Sequence, residues 1–553
     1  MPSGNPPEMT NGPDRPPRPK TPATWTGSPR QATHPARCGA GPAATIWLVR
    51  LKVSELLIGL SAVGDLGRGL EPGHAARTCF IGCRLARCLN ADDDTVRTVF
   101  YVALLQHIGC IAHAHDTVSF DRGRTIEVNA AADRTDFSRP ADILSTFLAE
   151  VTEGGDLVTR LRLVIPAARM VRVVDRTSCE VAEATARRIG LSAEVQAALR
   201  QMNEWYNGKG GFLGSKGDAI PLASRIVLAA FTVSIFDRLG GPDAALRAAK
   251  SRGGKMLDPA VAAAFVREGR RILEELASGD VLGSLPAAEP VPSFQVDAAA
   301  VDEILIAIGE VVDLKTPFTH GAAGQAFRFA GQAASGLGLP EEVVGQVRRA
   351  AALRDIGKAA LANAILEKQR PLTEADREQV RLHAYHSERV LSRCEPLSAE
   401  ALLAGMHHER ADGSGYHRGL RGSAVPMGAR VVAAADALIA MTQPRAYRPA
   451  LSLDEACARL TGGGALDRDA AAAVVAAAHG SAPAHRRRLP AGLSERQVEV
   501  VRLVAEGLTN RQIAERLVVS PRTAEHHVQD IYLKIGVASR AGAALFAVEH
   551  GLL

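Results

Sequence analysis

The sequence predicts an all-α chain: two tandem copies of one helical domain, then a short block of four helices. Three observations carry this. Ala- and Leu-rich segments place apolar residues at i, i+3 and i+4, with few β-branched alternations. The segment 204–231 aligns without a gap to 409–436, at a constant offset of 205, and 11 of the 28 positions are identical. The last 62 residues carry three successive helix-start signatures.

Length and composition bound the rest. At about 150 residues per domain, 553 residues suggest three or four domains. Hydrophobic residues are 46% and charged residues 23%, which excludes wholesale disorder. Aromatics are only 4%, so the cores must be built from Ala, Leu and Val. The net charge of +5, from 65 basic and 60 acidic residues, means any basic footprint is local. The N-terminus has no apolar core, and the longest apolar run, 226–236, is far short of the roughly 20 residues a membrane span needs. The expectation is a cytoplasmic protein with no membrane partner. Eight cysteines without paired CxxC motifs read as reduced thiols, Cys79, Cys83 and Cys88 among them.

Residues 1–47 hold 11 of the 30 prolines and no apolar period. They read as a disordered basic tail, or as the product of a start codon placed too early. Pro-rich joints at 283–293 and 480–492 leave three ordered blocks, 48–280, 295–480 and 492–553. The repeat extends upstream: LQHIGC (105–110) matches LRDIGK (353–358) at offset 248, so the first copy has 43 more residues between the two matches. Glycines fall on glycines, which fix backbone geometry.

In the second copy, LRDIGK, RLHAYH, GMHHERADGSGYHRGL and AAADA supply Asp355, His383, His407, His408 and Asp436. Imidazoles and carboxylates converging from separate helices suit a divalent metal. The strings over about 303–450 resemble the HD-GYP family, phosphodiesterases of the HD superfamily that hydrolyse cyclic di-GMP. That resemblance implies an all-helical fold with two or three metal ions, commonly Fe or Mn. It also implies ligands from an early Glu and His, a His-Asp pair, a single His, a His pair and a final Asp. A Lys three residues after the pair, here Lys358, would contact phosphate.

The sequence departs from the family in several places. Phe318 and Ala322 stand at the early Glu and His. His320, two residues away, would point to another side of a helix. Arg354 replaces the His of the pair, and an always-cationic guanidinium cannot bind metal. The loop reads GYH, with His417 in the Pro place. One metal position would keep only Asp355 and Asp436. Its neighbour would keep Asp355, His383, His407 and His408. Arg354 is therefore expected to put a fixed charge where the first metal would sit, neutralising Asp355 and Asp436. One divalent ion, Fe or Mn, is expected at the other position. Without a two-metal activated water the copy is expected to be inactive, with Arg354 and Lys358 left to bind phosphate. The alternative is an active phosphodiesterase using Asp355 and Lys358.

The first copy is emptier. By the same offsets Ser178, Met202, Asn203 and Phe231 stand for His383, the His pair and Asp436, and Gln106-His107 for Arg354-Asp355. Only His74 remains, matching Ala322. A pseudo-domain is expected. The run HIGCIAHAHD gathers His107, Cys110, His113, His115 and Asp116, and reads as a His-rich helix end rather than a zinc or haem site.

In the C-terminal block, Ser494 with Gln497 and Thr509 with Gln512 form capping boxes, and Ser520 with Pro521 opens a third helix. Gly507 ends the first helix. Ala524, Val528, Ile531 and Ile535 are the expected buried face of the third, and a fourth runs from Ser539 to near His550. Two short helices and a tight turn form a helix-turn-helix plan. The block resembles the LuxR-type DNA-binding domain over all of 492–553. That resemblance implies that Arg522, Thr523, His526 and Gln529 reach bases or phosphates, that Asn510, Arg511 and Lys534 contact backbone phosphates, and that the fourth helix dimerises. Residues 485–553 carry ten basic and seven acidic side chains, three of the basic ones being Arg486, Arg487 and Arg488.

These readings converge on a transcriptional regulator binding double-stranded DNA as a homodimer. Its tandem would sense a ligand such as cyclic di-GMP. No strand-helix alternation with a phospho-acceptor Asp precedes the DNA reader.

Overall fold

The computed structural model describes residues 51–113, 124–154, 156–410, 412–480 and 489–553. The expected tail at 1–47, His115, Asp116 and the Arg486–Arg488 run lie outside the described residues. The described chain is helical, apart from two two-residue strands: β1 (Leu51–Lys52) pairs antiparallel with β2 (Gln295–Val296), Leu51 opposite Val296. No single helix among the described residues is long and apolar enough to cross a membrane.

The first copy comprises α1 (Val53–Arg68), α2 (His74–Cys88), α3 (Asp93–Leu105), α4 (Thr125–Arg134), α5 (Leu157–Arg188), α6 (Ala193–Arg200), α7 (Leu222–Arg252) and α8 (Pro259–Ser278). The second comprises α9 (Ala298–Asp313), α10 (Ala322–Gly336), α11 (Glu341–Leu353), α12 (Glu374–Leu391), α13 (Ser398–Gly405), α14 (Met427–Thr442), α15 (Leu453–Gly462) and α16 (Arg468–Gly480). Helix starts follow local chemistry. Asp92, Asp156, Asp258 and Asp297 accept first-turn amides of α3, α5, α8 and α9, and Thr373 with Asp376 closes a capping box on α12.

The repeat seen in the sequence is a repeat of elements. α2 and α10 start 248 residues apart, as do α3 and α11, whereas α6 and α13, and α7 and α14, start 205 apart. The extra 43 residues fall between the two matches. That stretch contains α4, short helical turns and the first part of α5, around a small separate core of Val128, Phe147, Leu148, Val151 and Ala167. The same close approach recurs in both copies. A Cβ at Gly109 would stand 1.9 Å from the Ser178 carbonyl oxygen, and one at Gly357 would stand 2.1 Å from that of His383. Those distances lie inside contact, so only glycine lets the 3-10 turn after the Arg354-Asp355 pair, or its first-copy equivalent, lie on the next long helix.

The copies interlock. α1 packs on the second copy's 3-10 turn Ile356–Ala360 and on α12, while α9 packs on the first copy's turn Ile108–Ile111 and on α5. The Pro-rich joint at 283–293 is pinned here: Leu285 is buried, and Glu289 accepts hydrogen bonds from Ser54 Oγ (2.7 Å) and Tyr101 Oη (2.5 Å). One contiguous apolar core runs through both copies and the C-terminal block, rich in Ala, Leu and Val.

That block contains α17 (Glu495–Ala505), α18 (Asn510–Leu517), α19 (Pro521–Ile535) and α20 (Arg540–Glu549). Both expected capping boxes form, and Ser520 Oγ accepts the Thr523 amide (3.1 Å). Gly507 has φ +82°, as a helix stop requires. The expected buried face of α19 needs one correction. Ala524, Val528 and Ile531 are buried, but Ile535 is only half-buried, and Tyr532 is buried in its place. Ile535 is the last helical residue, where the chain turns at Gly536, so it packs against the edge of the core and stays partly exposed.

Candidate metal centre and nucleic-acid interface

The second-copy centre is built from four places in the chain. Arg354 caps the end of α11, Asp355 and Lys358 flank and occupy the following 3-10 turn, and His383 lies on α12. His407 and His408 follow α13 in a turn, and Asp436 lies on α14. His383 Nδ1 donates to the Val380 carbonyl, and His407 Nδ1 donates to the Ala404 carbonyl at 2.6 Å. Burial holds His383, and still more His408, below the ordinary imidazole range. A neutral ring with its proton on Nδ1 has a bare lone pair on Nε2.

The two Nε2 atoms lie 3.0 Å apart, and Asp355 Oδ1 is 3.3 Å from one and 3.7 Å from the other. Asp355 Oδ1 is buried without a hydrogen-bond donor. Two imidazole nitrogens and a carboxylate oxygen therefore converge on one point, an arrangement that a cation between them would satisfy. His408 joins the other two imidazoles, with one ligand atom from each ring within 4.8 Å of the others. The donor set fits a borderline divalent ion, and the carbonyl-bound Nδ1 atoms are the supports that metal-binding imidazoles use.

The other half of the centre is held by fixed positive charge. Arg354 is 2% exposed. Its Nε donates to Asp436 Oδ1 at 2.7 Å, and its Nη2 stands 3.4 Å from Asp355 Oδ2. Lys358 Nζ is 2.8 Å from the same Oδ2. Burial by itself would raise both carboxyls; Lys358 and Arg354 hold Asp355 well below its usual range, and Arg354 holds Asp436 below it. Burial opposes the Arg354 charge, but Asp355 and Asp436 together raise its pKa. Asp436, expected among the metal ligands, is thus drawn to Arg354 rather than to the three imidazoles.

Two expectations about the flanking loops change. Residues between α9 and α10 form turns, not helix, and α10 begins only at Ala322. His320 therefore cannot be placed by helical rotation; it borders the C-terminal block beside Val504, Ala505 and Ala541. His417 has φ +64°, a backbone that a proline ring cannot adopt.

Several residues that matter here were not singled out from sequence. Tyr416 stacks on His408, ring centroids 4.5 Å apart. Buried Glu409 accepts the amides of Arg418 (3.0 Å) and Leu420 (2.9 Å), shaping the Gly-rich loop. Glu204 does the same for Phe212 and Leu213 in the first copy, and this Glu identity in the repeat was the available signal. Asp313, raised by burial to about 8, accepts the Ala323 amide at 2.7 Å. Its counterpart Asp65, raised by burial to about 6, accepts those of Gly73 and Ala75. The Asp-Leu step at 65–66 and 313–314 repeats at the same offset of 248.

In the first copy Phe231 fills the equivalent space. Its ring lies 5.4 Å from His74 and 4.9 Å from His107, edge-on to both. Burial lowers both imidazoles to about 3, so they are neutral. His113 Nδ1 pairs with Ser178 Oγ at 3.2 Å, and Cys110 Sγ accepts from Arg68 at 3.8 Å. Asn203 donates to Asp175. Among the described residues, His107, Cys110 and His113 do not come together as a ligand set.

On the C-terminal block Arg522, Thr523, His526 and Gln529 are all exposed along one side of α19. Arg511 is exposed beside Glu515, 3.7 Å away. Lys534 Nζ donates to the Gly492 carbonyl and to Gln497 Oε1, and Asn510 Oδ1 accepts from Arg540. Those last two are therefore already engaged within the block.

Comparison with known proteins places both parts of the chain. The HD domain model matches residues 308–469, and the model for bacterial regulatory proteins of the luxR family matches 491–547. The chain is 30% identical over 423 residues to the 3'3'-cGAMP-specific phosphodiesterase 3 of Vibrio cholerae, spanning 73% of this chain and 90% of that one. It is 36% identical over 160 residues to the cyclic di-GMP phosphodiesterase response regulator RpfG of Xanthomonas campestris, 29% of this chain and 42% of that one. The crystal structure of a cyclic GMP-AMP-specific phosphodiesterase of V. cholerae (V-cGAP3) superposes with a TM-score of 0.54 at 26% identity, covering 78% of this chain and 98% of that one. Both V. cholerae matches are longer than either copy, so they span the tandem. The chain belongs to the HD-domain phosphodiesterase family of HD-GYP type, and it carries in addition a C-terminal LuxR-family DNA-binding domain.

Proposed function

We propose that the chain is a DNA-binding transcriptional regulator whose HD tandem senses a cyclic dinucleotide without hydrolysing it. The observation that carries this is Arg354. Its guanidinium bridges Asp355 and Asp436, the two carboxylates the family resemblance gives to the first metal, and a fixed organic cation activates no water. Asp355, His383, His407 and His408 would hold one divalent ion, Fe or Mn. Such an ion supplies a Lewis acid for a phosphate oxygen. Lys358 and Arg354 add positive charge for the same group. Relatives that act on cyclic di-GMP and 3'3'-cGAMP point to those dinucleotides as the ligand class. On the DNA side, Arg522, Thr523, His526 and Gln529 would reach bases or phosphates and Arg511 the backbone, while Asn510 and Lys534 would meet the backbone only with donors not used by, or released from, their contacts to Arg540, Gly492 and Gln497. Two half-sites would be read by a homodimer.

Metal analysis and titration calorimetry on the full chain test the ligand half of this reading. About one equivalent of metal is expected per chain, falling to roughly a tenth in a His383→Ala, His407→Ala double variant. Cyclic di-GMP or 3'3'-cGAMP should bind, and Lys358→Ala should weaken binding about tenfold or more. Finding neither stoichiometric metal nor dinucleotide binding would sink the sensor reading. A metal-dependent phosphodiesterase using Asp355 and Lys358 is the second reading, favoured by the intact imidazole cluster beside Lys358.

A further inference from the structure

A groove of about 550 Å³ lies along the exposed side of α12, and none of the metal-centre residues lines it. Its walls are Tyr385 and Arg389 on α12, Ser392 and Arg393 just past the end of that helix, and His417 and Arg418 on the Gly-rich loop. A groove of this size suits a small organic ligand. Its charge is not balanced from within. Arg418 donates to Glu388, the one carboxylate in the lining. Arg389 donates to Tyr385 Oη at 2.9 Å, and Arg393 to the Pro72 carbonyl at 3.4 Å. Among the described residues neither of these two pairs with a carboxylate, and a guanidinium has five N–H groups, so both keep donors to spare. Burial and the like charge of Arg389 lower Arg393 from its ordinary range, a repulsion that an anion would relieve.

The repeat shows what this face looks like when its charge is satisfied. At the offset of 205, Arg393 corresponds to Arg188, which donates to Glu310. At the offset of 248, Glu310 corresponds to Ala62. The first copy's arginine is thus neutralised across the junction of the copies, and the second copy's is not. Two further positions differ. Arg389 stands where the first copy has Ala184, and Tyr385 where it has Glu180. Glu180 is 5% exposed, with its carboxylate on the Ala538 amide, whereas Tyr385 is 38% exposed. The Tyr385 ring lies 6.3 Å from that of His417, which burial and Arg418 hold below the ordinary imidazole range. His417 therefore adds a neutral ring beside the tyrosine.

We propose that this groove binds a linear nucleoside polyphosphate, with its phosphates on Arg389, Arg393 and Arg418 and its base against Tyr385. Guanidinium forks match phosphate oxygens, and an exposed phenol ring is a platform for any base. The charge argues for a linear chain of phosphates. Three arginines and Glu388 leave a local excess of positive charge, which adjacent phosphates answer at one place. A cyclic dinucleotide carries a single charge on each of two phosphodiesters that its ring holds apart, so it matches the cluster less well. The position also gives such a ligand something to hold. Arg418 lies two residues after Tyr416, which stacks on His408, and Arg393 reaches the first copy at Pro72. A bound polyphosphate would fasten the Gly-rich loop to α12 beside the junction of the copies. The proposal rests neither on a ligand at the metal centre nor on the DNA reader.

The test is titration calorimetry on the full chain with ATP, GTP, inorganic pyrophosphate and cyclic di-GMP as probes. At least one of the two triphosphates is expected to bind once per chain, and pyrophosphate to bind more weakly. An Arg389→Ala, Arg393→Ala double variant should weaken both at least about tenfold. Arg389 is exposed, so Arg389→Ala alone keeps the test open should the double variant fail to fold. Tyr385→Leu should weaken the triphosphate several-fold and leave pyrophosphate unchanged, which a merely structural tyrosine would not do. Lys358→Ala, outside the groove, should change none of these. Absence of binding by both triphosphates at millimolar concentration would overturn the proposal, as would binding that survives loss of the arginines. Cyclic di-GMP binding that depends on Arg389 and Arg393 rather than Lys358 would overturn the ligand class. Cyclic di-GMP binding lost only in Lys358→Ala is the expected result for the separate site at the metal centre, and its failure would leave the groove's own result standing.

Discussion

Replacing Arg354 with Ala is expected to destabilise the chain by about 3–5 kcal/mol, because removing one partner of a buried ion pair strands the other. Asp436 loses its 2.7 Å partner outright, whereas Asp355 keeps Lys358 at 2.8 Å. Arg354→Lys retains a charge but not the fork that reaches both carboxylates, so a smaller loss is expected. Urea unfolding followed by circular dichroism reads both. With the imidazole position already filled with metal in both proteins, further Mn²⁺ should recover part of the loss in Arg354→Ala and add little to the unsubstituted chain, since only the former lacks a cation between Asp355 and Asp436. An Arg354→Ala chain that unfolds at the unsubstituted midpoint would show that the guanidinium is not the counter-charge of this centre.

The Arg522→Ala, Gln529→Ala double variant should lose about a thousandfold in DNA affinity, taking about 2 kcal/mol for each base contact. Both side chains are exposed on α19 and not needed by its core, so the fold should be unchanged. Arg511→Ala should act differently, weakening all sequences alike and reducing the salt slope by about one. Fluorescence anisotropy over a salt series, on a duplex the chain itself has selected from a random pool, separates the two. A double variant that binds like the unsubstituted chain would remove α19 from the interface.

Much of this was legible from sequence because it is local or repeated. Helix starts depend on side chains within four residues, so Ser494, Thr509 and Ser520 announce the C-terminal helices directly. The repeat fixes which positions are equivalent, so Phe231 could be set against Asp436 before either was placed in space. The convergence of His383, His407 and His408 was likewise readable, because the resemblance supplies the pairing that spacing does not. What the sequence did not disclose depends on packing between distant segments. Glu180 lies 358 residues from the Ala538 amide it accepts, and Arg445 reaches 127 residues back to the Phe318 carbonyl. Neither belongs to a motif. His320 does stay out of the imidazole cluster, as expected, but for another reason: the chain there is a turn, so helical rotation does not place it. The turn's course is set instead by Arg445 and Gln443, which donate to its carbonyls, and by α20 beside it.

Turnover decides most directly whether the second copy senses or hydrolyses. The full chain would be incubated with 3'3'-cGAMP and with cyclic di-GMP, in Mn²⁺ or in anaerobic Fe²⁺, and the products separated by chromatography beside an Asp355→Ala control. With Arg354 holding Asp355 and Asp436, both dinucleotides should remain intact, with no more linear product than in the control. Linear dinucleotide accumulating over many turnovers in the unsubstituted chain, and not in Asp355→Ala, would contradict that and make the protein a DNA-tethered phosphodiesterase.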